Sequence, residues 1–425
     1  MSIVNNLFKA EIFKVFSFTA FSTLIKMLTS LISVKVLAVV VGPSGVALLG
    51  QLSNFSGILM TLGSGGINNG VTKYIAEFNG DKVKISKILS TSTKITLTLS
   101  IIIGLILILF SSSFSSLIFN NFEYKIVFII FGFTLVFYTL NNQLLAILNG
   151  FKEYRKYVLI NILASVFGLI FTVVLVLIYN LKGALIASIS YQSITFFISL
   201  ILVLKSPWFD YNLVSDKFNK DAAKRLFGYS LMTLISASTV PVSQMIIRSY
   251  LSNHLSLSHA GIWEGMNRIS GMYLMIITSS LTVYYLPKLA ETLETNRLRN
   301  EIFKVYKFIT PILIFSIITI YIFRHLIISI LFTSDFSIMS DLFIFQMIGD
   351  FFKMLAWILS FIMVAKAMTA KYIITELIFT CLFVLLSIYF ITKSGIIGAS
   401  IAYMINYIIY FFTMLLIFRK IIFSK

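Results

Sequence analysis

The chain has 425 residues, of which 58% are hydrophobic and 12% are charged, and its formal net charge is +18. Soluble domains contain about 45–50% apolar and about 25% charged residues, so this composition excludes an ordinary soluble protein. The positive charge does not indicate nucleic-acid binding, because the lysines and arginines are spread through short segments between apolar runs. Unbroken runs of roughly 20 apolar residues are typical of membrane-spanning helices, whereas a membrane β-barrel would show alternating strands.

About twelve transmembrane helices are predicted along the chain. The first six lie near 16–41, 45–72, 86–110, 125–148, 157–179 and 183–204. The other six lie near 226–250, 259–286, 303–323, 340–365, 372–392 and 396–418. The polar stretch between the two sets predicts an N-terminal six-helix lobe at 1–205, a cytoplasmic linker at 206–224 and a C-terminal six-helix lobe at 225–425. The predicted fold class is therefore an all-α polytopic membrane protein with two six-helix lobes.

The positions of lysine and arginine orient these helices. If the N-terminus is cytoplasmic, most of these residues fall in segments on the cytoplasmic side, down to Lys425 at the C-terminal end. Cytoplasmic loops of membrane proteins carry such an excess of positive charge. Both termini are therefore predicted to be cytoplasmic. The loop cations left for the opposite side are Lys125, Lys182, Arg248, Arg324 and Lys393.

The second predicted helix contains the glycine-rich stretch GSGGINNG at 63–70. Glycines weaken a helix and permit either a break or close packing. One interpretation is tight helix packing. The other is a hinge in which the amides of Asn68 and Asn69 face a lumen and bind sugar hydroxyls. Pro241 and Pro311 predict kinks in the seventh and ninth helices, since each removes a backbone hydrogen bond.

Several charged residues fall inside or at the edge of predicted spans, where each charge costs at least about 2.5–3.5 kcal/mol at bilayer depth. The cations are Lys26, Lys35, Lys73, Lys94, Arg268 and Lys353, and the anions are Glu264, Asp350 and Glu376. Lys35, Lys73 and Lys94 lie near helix ends, where long side chains can reach the headgroups. Lys26 lies near the middle of its helix, so it is predicted to face a polar lumen.

Helical spacing places some of these charges on shared faces. Glu264 and Arg268 are four residues apart and can pair, while Asp350, Lys353 and Trp357 share another face. One interpretation is that each set is a buried ion pair, in which each charge only offsets the cost of burying the other. The other is a cationic, aromatic lumen suited to a phosphorylated glycolipid, because Arg and Lys bind phosphate. The predicted substrate-binding residues are Lys26, Asn68, Asn69, Lys73, Arg248, Glu264, Arg268, Asp350, Lys353 and Trp357.

The sequence contains no recognisable catalytic, metal-binding or cofactor-binding motif. The single cysteine, Cys381, excludes an intrachain disulfide and a cysteine metal site. His254 and His259 fall in an outer loop, where a histidine pair is expected to be solvated. The outer loops are also too short for the large polar loop that a glycan polymerase or ligase would use. The chain is therefore expected to be a transporter and not an enzyme, with no catalytic residue.

Five stretches of the sequence are similar to one known family. They are VGPSGVALLGQL at 41–52, NGVTKYIAE at 69–77, AGIWEG at 260–265, YLPKL at 285–289 and FQMIGDFFK at 345–353. They resemble the Wzx-type flippases, in the branch that handles O-antigen units and enterobacterial common antigen (lipid III). The charges of Glu264 and Arg268 depart from the pattern of this branch, which points to a sugar repeat unit specific to this protein. The polar positions that match the branch are Lys26, Lys73, Asp350 and Lys353.

The resemblance implies the MATE-like fold of the multidrug/oligosaccharidyl-lipid/polysaccharide (MOP) exporter superfamily. It implies a multi-pass protein of the bacterial cell inner membrane that moves an undecaprenyl-diphosphate-linked oligosaccharide, such as an O-antigen repeat unit, to the periplasmic leaflet. Alternating access between the two lobes would perform this step. The implied partners are the lipid-linked glycan and membrane lipid, with a polysaccharide polymerase and chain-length machinery as candidates, and no nucleic acid.

Two other functions remain open from the sequence, a MATE-like cation-coupled exporter of small molecules and a membrane glycan polymerase. An exporter of cationic drugs should have an acidic lumen, whereas here the cations inside the spans outnumber the anions. No cofactor is expected, but a proton or sodium gradient is a candidate energy source. Asp350, Glu264 and Glu376 are the candidate ion sites.

Overall fold

The computed structural model describes residues 2–292, 294–366 and 368–422 of the chain. All regular secondary structure in these residues is helical. This follows from the apolar sequence, because a backbone in hydrocarbon has to satisfy its hydrogen bonds internally. The prediction of an all-α polytopic membrane protein is confirmed. Lys425, one of the predicted cytoplasmic cations, lies outside the described residues.

The helices follow one another with short connections. In the first half they are α1 (Ser2–Gly63), α2 (Asn68–Glu77), α3 (Lys82–Leu109), α4 (Ser111–Phe119), α5 (Lys125–Gly150), α6 (Tyr154–Leu204) and α7 (Asn212–Ser215). In the second half they are α8 (Lys220–His254), α9 (Leu257–Ser280), α10 (Leu286–Glu291), α11 (Thr295–Ile322), α12 (Arg324–Leu331), α13 (Phe343–Ala365), α14 (Thr369–Ser394), α15 (Ile396–Ile417) and α16 (Arg419–Ile422).

Within the described residues, eight helices are long and apolar enough to span a membrane, or up to nine if a bent pair in α8 is one span. Two of the eight are broken internally, α1 at Gly42 (φ 63°) and α6 at Asn180 (φ 48°). Glycine and asparagine tolerate this left-handed conformation best. Both breaks fall between predicted spans, so α6 contains two of them and α1 contains one and most of a second. The total of twelve spans stays a prediction.

The glycine-rich stretch at 63–70 does break the helix. α1 ends at Gly63 and α2 begins at Asn68, and Gly65 and Gly66 between them both have φ of 64°. The break is also closely packed, because a Cβ on Gly66 would lie 3.2 Å from the carbonyl oxygen of Ser230. The stretch is therefore both a break and a packing site, while a hinge whose Asn68 and Asn69 amides face a lumen stays a prediction.

Both prolines lie inside helices, Pro241 in α8 and Pro311 in α11. α8 also has a 44° bend at 229–232, ahead of Pro241. The kinks predicted at the two prolines stay a prediction.

The described chain forms two compact units. The first unit comprises Met1–Val40 and Gln51–Ser238, and the second comprises Val41–Gly50 and Thr239–Lys425. Val41–Gly50, a short piece of α1, therefore belongs to the second unit. The lobes predicted at 1–205 and 225–425, with their linker at 206–224, stay a prediction.

In the first unit, α5 packs against α3 at a glycine contact. A Cβ on Gly104 would lie 2.5 Å from the carbonyl oxygen of Gly132, and the reverse distance is also 2.5 Å. Only glycine at both positions allows the two backbones to come this close. Elsewhere along the same two helices, Gln143 of α5 donates hydrogen bonds of 2.9 Å to the hydroxyls of Ser92 and Thr93 in α3.

The loops predicted to be cytoplasmic meet at one end of the first unit. The Lys94 ammonium donates to the carbonyl of Asp216 at 2.6 Å, and the ring of Trp208 stacks on Phe151 at 4.0 Å. At the same end, the Asp81 carboxylate caps α3 by accepting from the Lys84 amide, and this hydrogen bond lowers the pKa of Asp81. These contacts hold the loops together at the same end of the unit, which agrees with the charge pattern placing them on one side.

The second unit is built around α13. In Ser334–Ala365, 61% of the most apolar 18-residue window is buried, against 11–33% in the other seven candidate spans. α13 packs mainly against α15, α11 and α10. At one end of the unit, Lys366 donates to the carbonyl of Thr292 at 2.5 Å, joining two loops predicted to be cytoplasmic. The polar residues of α13 are therefore enclosed by protein.

The topology predicts the sides from which two exposed residues can be reached. In a Cys381→Ser background, we expect Asn212→Cys to react with an impermeant thiol reagent only from the cytoplasm. Asp335→Cys should react only from the periplasm, because the charge pattern places its loop outside. Labelling is measured in intact cells and in inverted vesicles. Reaction of both cysteines from the same side would contradict the predicted orientation.

Candidate functional site

The second unit contains a cavity of about 270 Å³ between α8, α9, α13, α14 and α15. Two of its lining residues are charged, Lys353 and Glu376. Nine of its 19 lining residues are aromatic, which is typical of sites for organic ligands. The aromatic lining residues are Trp263, Trp357, Phe361, Tyr372, Phe379, Phe383, Tyr403, Tyr407 and Tyr410.

Lys353 projects from α13 into an aromatic cage. Its ammonium lies 5.1 Å from the ring centre of Trp357, 5.5 Å from that of Tyr403 and 5.2 Å from that of Tyr407. It also donates to the hydroxyl of Tyr403 at 3.2 Å. A desolvated cation–π contact is worth roughly 2 kcal/mol, so the cage offsets part of the cost of burying this charge.

Asp350 lies one turn before Lys353 and is fully buried. Its carboxylate accepts hydrogen bonds from Tyr273 at 2.6 Å, from Tyr403 at 2.7 Å and from Ser270. Hydrogen bonds to the ionised form are what a buried carboxylate requires. Gly349 leaves the space that the ring of Tyr403 occupies, because a Cβ there would overlap the ring. Asp350 is therefore anchored by α9 and α15.

One interpretation of Asp350 and Lys353 was a direct ion pair, and the structure does not form it. Among the described ion pairs none joins these two side chains. Instead, Tyr403 lies between them, donating to Asp350 and accepting from Lys353. The reason is that three hydroxyls from other helices already hold Asp350, whereas Lys353 faces the cavity. The two residues and Trp357 do share one face of α13, as their spacing predicts.

The predicted pair of Glu264 and Arg268 is confirmed, and it is part of a larger cluster. Arg268 Nε lies 3.0 Å from Glu264 Oε1, and Arg248 Nη2 lies 2.5 Å from Glu264 Oε2. Arg248 is only 2% exposed and lies against the ring of Trp263. Its partnership with Glu264, sixteen positions along the chain, could not be read from helical spacing. The cluster has one positive charge in excess.

Two of the stretches that carry the family resemblance pack on each other here. A Cβ on Gly50 would lie 2.5 Å from the carboxyl carbon of Glu264, and a Cβ on Gly261 would overlap the carbonyl of Pro43. The glycines of one stretch therefore make room for the other. The arginine cluster depends on this contact, since Glu264 occupies the space that Gly50 leaves.

The remaining predicted site residues belong to the first unit. Lys26 is exposed on α1. Asn68 is half-buried and Asn69 is exposed at the start of α2. Lys73, one turn further, lies 3.9 Å from Glu77 and 5.0 Å from the ring centre of Tyr74. The structure therefore brings together Asp350, Lys353 and Trp357, and separately Arg248, Glu264 and Arg268. The assignment of all ten residues to substrate binding stays a prediction.

Sequence reasoning missed the contribution of α15. Tyr403, Asn406, Tyr407 and Tyr410 recur at intervals of three and four residues in this helix, and all four line the cavity. That spacing places them on one face. The stripe of polar aromatic residues in an otherwise aliphatic helix was the signal that could have found them. Trp263 and Asn267 of α9 complete the wall, four residues apart in the same way.

The contact of Gly50 predicts opposite effects for two alanine substitutions in α1. Gly50→Ala should lower the detergent melting temperature, because the new methyl group displaces Glu264 from the two arginines. Orphaning a partner in a buried ion pair costs about 3–5 kcal/mol. Gly57→Ala is the matched control, since a Cβ there meets nothing within 4 Å and alanine favours the helix. Equal melting temperatures for both variants would contradict the structural role of Gly50.

Substitutions in α13 distinguish the hydroxyl-held carboxylate from a direct ion pair. Asp350→Asn should lower the melting temperature, because its amide group would face three hydroxyl donors. Lys353→Met should leave it almost unchanged, since the cage remains packed. The double variant should then resemble Asp350→Asn alone. If the double variant were instead more stable than Asp350→Asn alone, the result would support a direct ion pair between Asp350 and Lys353.

Comparison with known proteins agrees with this architecture. The family described as "Polysaccharide biosynthesis protein" matches residues 12–293. The lipid III flippases of Escherichia coli (strain K12) and Shigella flexneri are both 30% identical to the chain over 393 residues. These residues cover 92% of this chain and 94% of each relative.

Solved structures share the fold at lower identity. An inward-facing multidrug resistance MATE family transporter of the MOP superfamily has a TM-score of 0.79 at 15% identity, covering 94% of this chain and 96% of its own. The lipid II flippase MurJ, in an inward closed conformation, has a TM-score of 0.73 at 18% identity, covering 97% and 90%. The MATE-like fold is thereby confirmed. Together with the full-length relatives, the family match confirms the resemblance, and the chain belongs to the polysaccharide biosynthesis protein family as a Wzx-type flippase.

Proposed function

We propose that the chain is a flippase that moves an undecaprenyl-diphosphate-linked oligosaccharide from the cytoplasmic to the periplasmic leaflet. The observation that carries this proposal is the 30% identity to lipid III flippases along 92% of the chain. The fold shared with a lipid II flippase supports it. The glycan would be an O-antigen repeat unit or a related surface polysaccharide unit.

The physical task is to take a charged, hydrated headgroup through hydrocarbon. Unpaired charges at bilayer depth are costly, so the protein has to replace the lost hydration. The excess arginine charge around Glu264 offers compensation for the diphosphate, since Arg binds phosphate oxygens strongly. The aromatic walls of the cavity offer faces for sugar rings, and the polyprenyl tail would stay in lipid.

Binding of the substrate moves the transporter between states only if the states differ in affinity. A proton or sodium gradient would supply the remaining bias. Of the three candidate carboxylates, Glu264 is held by two arginines and Asp350 by three hydroxyls. Glu376 lines the cavity and accepts a hydrogen bond from Thr239 at 3.3 Å. We therefore assign the coupling ion to Glu376.

We also propose where the protein acts in the cell. The protein would lie in the bacterial inner membrane with both termini in the cytoplasm, because its positive loops then face inward. It would act on its lipid-linked glycan without chemical conversion. A polysaccharide polymerase and chain-length machinery, acting on the periplasmic side, would use the glycan that it delivers.

Deletion of the gene in its own host tests the proposed function. We expect surface polysaccharide to be lost and lipid-linked units to accumulate where a membrane-impermeant oxidant of sugars cannot reach them. Restoring the gene should return both to normal. If the chain were a polymerase, single units would accumulate within reach of the oxidant. If it were a drug exporter, polysaccharide would be normal and tolerance of cationic drugs would fall.

A further inference from the structure

Three residues that line the cavity of the second unit carry buried polar atoms that lack hydrogen-bond partners. Among the described residues, Trp263 Nε1, Asn267 Nδ2 and Asn406 Oδ1 are buried and make no hydrogen bond. Trp263 is 1% exposed and Asn406 is 3% exposed. Buried polar groups in native proteins are normally satisfied, and each exception calls for an explanation. Three such atoms on residues of one cavity indicate that their partners arrive with a ligand.

The rest of the wall shows what kind of ligand would fit. Sugar rings have apolar C–H faces and polar edges, and aromatic faces beside a few fixed donors and acceptors complement both. The rings of Trp357 and Tyr407, held around Lys353, supply the faces. The two asparagines and the indole N–H supply the polar edge.

Charge and size separate this cavity from a diphosphate site. Its two charged lining residues are one cation, Lys353, and one carboxylate, Glu376, so a diphosphate would gain little there. The volume of about 270 Å³ is just below the range of roughly 300–1,000 Å³ of pockets for drug-sized ligands. This space suits one ring and not a whole oligosaccharide.

We propose that the cavity is a subsite for a single uncharged pyranose ring of the transported glycan. The ring stacks on Trp357 and Tyr407, and its hydroxyl or amide substituents bind Asn267, Asn406 and the indole N–H of Trp263. The three unpartnered atoms are occluded in this state, so binding turns the two amides and the indole of Trp263 toward the ring. The inference rests on the proposed function, because it assigns part of the same substrate. It makes α9 and α15 the helices that determine which sugar is transported.

The tryptophans of the chain provide a direct test. There are three, and Trp263 and Trp357 line the cavity whereas Trp208 stacks on Phe151 in the first unit. In purified full-length Trp208→Phe protein, all indole fluorescence therefore comes from the cavity. We expect a saturable change with at least one of glucose, galactose and N-acetylglucosamine at millimolar concentration, and none with inorganic pyrophosphate. A response to pyrophosphate alone, or to none of these probes, would overturn the subsite.

A matched pair of variants on α15 tests the role of Asn406. Asn406→Leu and Ser400→Ala each remove a buried, unpartnered oxygen, but Ser400 does not line the cavity. Neither should lower the melting temperature, because an unsatisfied polar group is lost in both. Asn406→Leu should weaken the sugar response about tenfold, as expected for a lost hydrogen bond, and Ser400→Ala should not change it. Equal sugar binding by the two variants would overturn the proposal.

The two proposals can fail separately. If deletion traps lipid-linked units inside the cell but no sugar binds the cavity, the subsite is wrong and the flippase function stands. If sugars bind as expected but deletion leaves the polysaccharide and its carrier unchanged, the flippase function is wrong. The assignment to a transported lipid-linked glycan then falls with it.

Discussion

A charged side chain inside a membrane protein has to find its solvation within the protein, and the second unit is arranged around this constraint. Two solutions are visible. Glu264 is shared by two arginines, and Asp350 is surrounded by three hydroxyls from neighbouring helices. The first links the consecutive helices α8 and α9, and the second brings α9 and α15 to α13. The packing of α9, α13 and α15 is therefore inseparable from the placement of charge.

This arrangement divides the polar residues into two kinds. Asp350 and Glu264 are fully engaged by protein groups, so they fix the positions of helices. Lys353 and Glu376 border the cavity, where a ligand or ion can compete for them. Tyr403 connects the two kinds, since it donates to Asp350 and accepts from Lys353. A change in the contacts of Lys353 at the cavity can therefore alter the hydrogen bonding of the Asp350 carboxylate.

The sequence predicts well what depends on one helix at a time. The break at 63–70 and the pair of Glu264 with Arg268 were both readable, because glycine content and i, i+4 spacing are local properties. The link from Arg248 to Glu264 and the three donors of Asp350 were not. Periodicity shows which residues share a face but not which helix that face meets. For the same reason the spacing of Asp350 and Lys353 could not show whether they pair, and in the structure hydroxyls on α9 and α15 hold Asp350 instead.

The membership of Val41–Gly50 in the second unit has a consequence for synthesis on the ribosome. The packing partners of this segment include Gly261 and Glu264, which are translated roughly 200 residues later. At about 5–20 residues per second, α1 waits some 10–40 seconds for them. During that interval the kink next to Pro43 is inserted without its tertiary contacts. The start of the chain, although it is made first, therefore reaches its final packing only after more than half of the chain has been translated.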